Sequence, residues 1–160
     1  MRSIIRWTTL AASVSTLSVG TAILASKPAS LAAAAEVAAP VEITVYKSPT
    51  CGCCSKWVDH LTASGFKVIS HDTNGMQAVK TKLGVPDAMA SCHTAVVNGY
   101  VIEGHVPAAD IQRLLRDKPK VAGLAVPGMV AGSPGMEGGR SDPYNVVTFG
   151  AGTSTVFARH

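Results

Sequence analysis

The chain has 160 residues, with 14 Lys plus Arg against 10 Asp plus Glu and four cysteines. Three of the cations, Arg2, Arg6 and Lys27, lie in the first 35 residues; the remainder carries 11 basic against 10 acidic side chains and no Lys/Arg cluster, so nucleic acid is not an expected partner. Roughly 120 residues can bury one core without staples, so the cysteines are not needed to rescue a tiny fold.

Residues 1–35 read as an export signal. Arg2 and Arg6 form the positive end, Trp7 to Leu24 is apolar and small, and Leu31 to Ala35 offers small residues for cleavage. A retained anchor over Ile4 to Leu24 is the weaker reading, because its many Ser, Thr and Ala residues make a poor hydrocarbon span. The expected mature chain is periplasmic, has no membrane span, and begins with a short linker over residues 36–40.

Val41 to Tyr46 alternates with strong β character and predicts a first strand. It runs into Ser48-Pro49-Thr50 and then Cys51-Gly52-Cys53-Cys54, which opens a helix to about Ala63, stopped by Gly65. Phe66 to His71 returns as a strand, and Gly75 to Leu83 predicts a second helix ending at Gly84. Thr94 to Val97 and Tyr100 to Glu103 flank Asn98-Gly99, a hairpin signal. Pro107 opens a last helix through Arg116, with Ile111, Leu114 and Leu115 on its buried side.

The order β-α-β-α-β-β-α over residues 41–117 is that of a thioredoxin-like α/β domain. In that fold the redox pair sits between the first strand and the following helix. The loop before the hairpin approaches it, here with Cys92-His93-Thr94 in place of a cis proline. Residues 118–160 form an extension. Past Pro119 the chain turns to Gly, Pro and Met, with Val126-Pro127-Gly128-Met129, Ser133-Pro134-Gly135-Met136 and Gly138-Gly139, and no regular element is expected to survive there. Tyr144 to Phe149 and Thr153 to Phe157 predict a terminal hairpin whose place in the fold is not legible.

All four thiols fall in the two short clusters. At a helix N-terminus, free amides and the positive end of the dipole favour thiolate. Cys51 and Cys54 have the spacing of a dithiol motif, for which a structural disulfide or zinc clip is the plain alternative. Cys53 shifts the balance, since an oxidoreductase pair needs no third thiol between its members. Cys92 and His93 add donors from a distance, but adjacent residues of a strand point oppositely, so both reach one ion only if the loop bends. A cuprous ion prefers thiolate and accepts thioether or imidazole. Zinc with three cysteines and a histidine obeys similar arithmetic, and spacing does not separate the two metals. His93 could equally be a turn residue that hydrogen-bonds nearby. His105 could be a contact at the start of a helix, and Met129 and Met136 could be plugs for an apolar groove. His60 reads as solvated, His71 as a surface partner of Asp72, His160 as a disordered end, and Trp57 as packing.

Together, Tyr46-Lys47-Ser48-Pro49-Thr50-Cys51-Gly52-Cys53-Cys54, Ser91-Cys92-His93-Thr94, Glu103-Gly104-His105-Val106-Pro107 and the paired Pro-Gly-Met loops resemble an exported domain-of-unknown-function family of predicted metal-binding proteins that includes the copper-resistance protein CopG. The resemblance spans residues 41–149. It implies a thioredoxin-like periplasmic protein that binds copper through Cys51, Cys53, Cys54 and Cys92, with His93, His105, Met129 and Met136 as further participants, and it allows interconversion of cuprous and cupric ions. Val130 departs from the family's habit of repeating a proline after the methionine, which bears only on the shape of that loop.

The leading expectation is therefore a copper-handling protein that captures cuprous ion, in a multinuclear cluster, for detoxification or for transfer to a periplasmic redox or copper-carrying partner. Coordination would also keep neighbouring thiols from oxidising in that compartment. The rivals are a thiol-disulfide oxidoreductase, with Cys51 attacking and Cys54 resolving, and a structural zinc or disulfide module. Whether the chain is an enzyme, a copper or thiol oxidoreductase, stays open among these readings.

Overall fold

The computed structural model describes residues 39–150 and 152–160. The expected export signal and its cleavage point lie outside the described residues.

Seven strands form one sheet in the order β2-β1-β3-β4-β5-β6-β7. β1 (Glu42–Lys47) leads into α1 (Gly52–Ala63), and β2 (Lys67–Asp72) returns parallel to β1, so this first unit is the βαβ crossover the sequence suggests. α2 (Met76–Lys82) and a 3-10 turn, Asp87–Met89, precede β3 (Thr94–Val97). β3 pairs antiparallel with both β1 and β4 (Tyr100–Glu103), joined to β4 by the Asn98-Gly99 turn. α3 (Ala108–Asp117) follows. The α/β class and the expected element order are those found.

Alternation along the strands assigns the two faces. Ile43, Val45, Ala95, Val97, Ile102, Leu124 and Val146 share one core with Trp57 and Leu61 of α1 and Ile111 and Leu114 of α3. Val101 and Ala125, adjoining Ile102 and Leu124 on their strands, form a second cluster with Phe149 and Val85, against which Leu83 and Met89 pack. α1 and α3 thus cover one face, and the α2 region covers the other.

The C-terminal extension corrects one expectation. β5 (Gly123–Ala125) lies in the stretch read as irregular, parallel to β4 and antiparallel to β6 (Asn145–Phe149). Three residues are too few to show a period, and the strand exists because partners on both sides satisfy its backbone. Gly123 is needed there, since a side chain at that position would run into the Val101 carbonyl. β7 (Val156–Arg159) completes the terminal hairpin, beginning three residues and ending two residues later than expected, and extends the same sheet. His160, read as a disordered end, is held: its backbone pairs with Tyr144 in both directions, and its ring contacts Asp110 at 2.7 Å.

Candidate metal centre

β1 ends at Lys47, and the turn over Ser48-Pro49-Thr50 closes with the Cys51 N–H donating to the Ser48 carbonyl at 3.3 Å. Cys51 is the N-cap residue of α1 in an extended conformation, with no side-chain cap and no acidic residue in the first turn. The thiols therefore sit among unsatisfied amides at the positive end of the helix. Cys54, Trp57 and Leu61 make one buried stripe, which turns the Cys54 sulfur inward, while Cys51 and Cys53 stay half-buried. The Sγ atoms of Cys51 and Cys53 are 3.3 Å apart.

The second segment arrives from between the 3-10 turn and β3. Cys92 Sγ lies 3.3 Å from Nδ1 of its neighbour His93, so the segment is bent as joint action of the two side chains requires. His93 is fully buried. Its ring packs on Trp57, centroids 4.3 Å apart, and meets the edge of His105 at 4.8 Å. Its Nε2 has no hydrogen-bond partner among the described residues. Trp57 is packing, as expected, and its Nε1 donates to the Val106 carbonyl.

His105 follows β4. Its Nδ1 is 2.8 Å from the Pro134 carbonyl, which can only accept, so Nδ1 carries the proton and Nε2 is directed at Cys92 Sγ, 3.1 Å away. The Ser133-Pro134-Gly135-Met136 turn is thus seated on the site. Gly135 has φ +83, and a Cβ there would stand 2.7 Å from the Cys53 carbonyl oxygen and 2.8 Å from the Trp57 nitrogen. Only glycine allows the turn this close to α1.

The four sulfurs of Cys51, Cys53, Cys54 and Cys92 lie within 4.8 Å of one another, as do the donor atoms of Cys92, His93 and His105. Cys92 belongs to both groups. A tetrahedral ion with metal–sulfur bonds of about 2.3 Å spaces its sulfurs about 3.8 Å apart, so the first group needs only small rotations to close on one. All four cysteines are free thiols.

The charges of the site are uneven. Hydrogen bonding from Cys54 pulls the Cys92 thiol far down against the opposing effect of burial, and His105 and His93 add to it. Cys54 goes the other way, raised by its bond to Cys92 and then by burial. Burial together with the bond to Cys51 pushes Cys53 up to about 11. Burial lowers His93; burial also opposes charge on His105, but the Cys92 and Pro134 contacts outweigh it and raise that ring. One thiolate is thus welcome at Cys92 and further ones are not, unless a cation joins them.

Met129 is 57% exposed and Met136 half-buried, each on its Pro-Gly turn. Neither methionine plugs a core groove among the buried residues. His60, expected to be solvated, is half-buried and accepts the Ala108 N–H at 3.1 Å. His71 stacks on Tyr46, and Asp72 pairs with Lys47 at 2.7 Å instead of with His71. Sequence reasoning passed over Glu103 and Lys80, which are buried together beside the Cys92 segment. A charged residue on the buried face of a four-residue strand was the available signal.

A family model described as "Protein of unknown function, DUF411" matches residues 89–136. No curated protein matches the chain. Two solved structures do, "Copper resistance protein copG- Form 2" and "Copper resistance protein copG- Form 1", each with 51% identity over 76% of this chain and 98% of that chain, at TM-score 0.72. Half the residues are thus shared along nearly the full length of those proteins, and the chain belongs to the DUF411 family of the copper resistance protein CopG.

Proposed function

We propose that this chain is an exported, periplasmic copper-binding protein of copper resistance, whose cargo is cuprous ion held by Cys51, Cys53, Cys54 and Cys92. The observation that carries the reading is the convergence of four free thiols from two segments within 4.8 Å. Soft thiolates select cuprous ion over harder cations. The sharing of Cys92 with His93 and His105 favours more than one ion, with Cys92 as the bridge. Copper resistance in the relatives' names supports copper over zinc. Met129 and Met136 serve as auxiliary thioethers on the neighbouring turns. If the protein also changes the copper oxidation state, Cys51 and Cys54 are the electron source: closing one disulfide releases two electrons and two protons, which reduces two cupric ions to cuprous.

The test is anaerobic titration of the purified protein with cuprous ion against a chromogenic chelator, in parallel with zinc and with a count of remaining free thiols. Tight cuprous binding that consumes three or four thiols is expected. Cys92→Ser should weaken that binding at least tenfold, because it removes the sulfur common to both donor groups. Unchanged binding in that variant would sink the reading. The half-exposed Cys51 and buried Cys54 also suit a thiol-disulfide oxidoreductase, attacking and resolving in that order. Such an enzyme would keep its disulfide exchange activity in Cys92→Ser.

A further inference from the structure

Glu103 of β4 is completely buried, and its carboxylate meets the ammonium of Lys80 from α2, itself almost fully buried. A pair taken so far out of water is a poor source of stability, since desolvation offsets most of the attraction and an apolar pair of similar volume commonly does as well or better. Its other contacts explain its presence. Glu103 Oε1 accepts the Ser91 N–H at 2.6 Å, and Oε2 accepts the Thr94 hydroxyl at 2.6 Å. Lys80 Nζ donates to the same Thr94 oxygen at 3.0 Å. The two carboxylate oxygens therefore grip the chain immediately before Cys92 and immediately after His93. Next to Glu103, the Gly104 N–H donates to the His93 carbonyl at 3.0 Å, closing the bracket from the same strand. The hydroxyl of Ser91 in turn donates to the Gly128 carbonyl.

We propose that Glu103, neutralised by Lys80, is the positioning residue that holds the bent Cys92-His93 segment in register with the thiols of α1. The proposal deepens the copper reading and rests on it for its consequence, not for its geometry. Only an ionised carboxylate offers two acceptors to two donors on either side of a two-residue segment; an amide in its place turns a donor toward one of them. The strand carrying the grip also leads directly into His105, so one rigid element fixes three of the site's donors.

Glu103→Gln tests it, alongside the apolar double variant Lys80→Met/Glu103→Leu, which keeps the volume and removes the grip. In metal-free protein under reductant, amide hydrogen exchange over residues 91–94 should quicken at least tenfold in either variant, while exchange over residues 43–45 of β1 stays as in the parent. Cuprous affinity should fall about tenfold to a hundredfold. That loss should vanish when the same changes are made on a Cys92→Ser background, which a general loss of structure would not do. Unchanged exchange at 91–94, or equal acceleration in β1, would overturn the proposal, as would a copper loss that persists without Cys92. If Glu103→Gln fails to fold, the double variant decides. If the parent protein binds no cuprous ion, the copper reading falls and the exchange measurement alone decides the positioning role.

Discussion

His60 accepts the Ala108 amide through Nε2, so its ring must be neutral and protonated on Nδ1. Burial lowers its pKa, against a smaller opposing effect from Glu137. A protonated His60 would lose the acceptor lone pair and set a positive charge at the N-terminus of α3. Because the folded pKa is depressed, this contribution is complete above the unfolded value of about 6.5 and is lost as pH falls from there through the folded pKa. His60→Phe should cost about 1 kcal/mol at pH 8 and less at pH 5, read from urea midpoints; a cost independent of pH would refute the account. The sequence marked the thiols as candidate ligands, because cysteine clusters have few other uses, and His93 and His105 as less secure ones; the structure brings all of them together. The sequence did not show His60 capping a helix 48 positions away, nor Lys80 meeting Glu103, because such partners become neighbours only after the sheet forms.

The Ser133-Pro134-Gly135-Met136 turn was legible as a turn and its destination was not. It packs on the first turn of α1 through Gly135, and the backbone contact is too close for any side chain. Gly135→Ala, with its strained positive φ added to the clash, should destabilise the protein by about 1–3 kcal/mol and expose residues 126–142 to proteolysis. It should also shift the His105 ring resonances, since the Pro134 carbonyl would leave Nδ1. An alanine variant with parental stability and unmoved resonances would show that the turn does not rest on the helix in solution. β1, α1, β2 and the Asn98-Gly99 hairpin were legible because each carries a local period or a turn dipeptide. β5, with three residues, carries neither.

Over the described residues, two packed faces close on side-chain contacts without a metal: the larger core runs from Ile43 through Leu124 to Val146, and the second gathers Val101 and Phe149. Metal-free protein should therefore unfold cooperatively, unlike a small metal-dependent module. Cuprous ion at about 100 times its dissociation constant should then add about 2.7 kcal/mol, seen as a rise in Tm that a chelator reverses. Loss of the fold on chelation would favour a structural metal, and an unmoved Tm would mean that copper does not prefer the folded site to the thiols of the unfolded chain. Among the described residues no helix is long and apolar enough to cross a membrane.

The acceptor that sets the proton on His105 is a peptide carbonyl, that of Pro134. Point substitutions cannot delete a main-chain oxygen, so this setting is insulated from most codon changes in the loop. It is vulnerable instead to insertions and deletions between Val126 and Tyr144, which move the oxygen without touching any donor. A chimera that swaps loop sequence at constant length and keeps Gly135 should inherit the ring's orientation, and one that alters the length by a single residue should not.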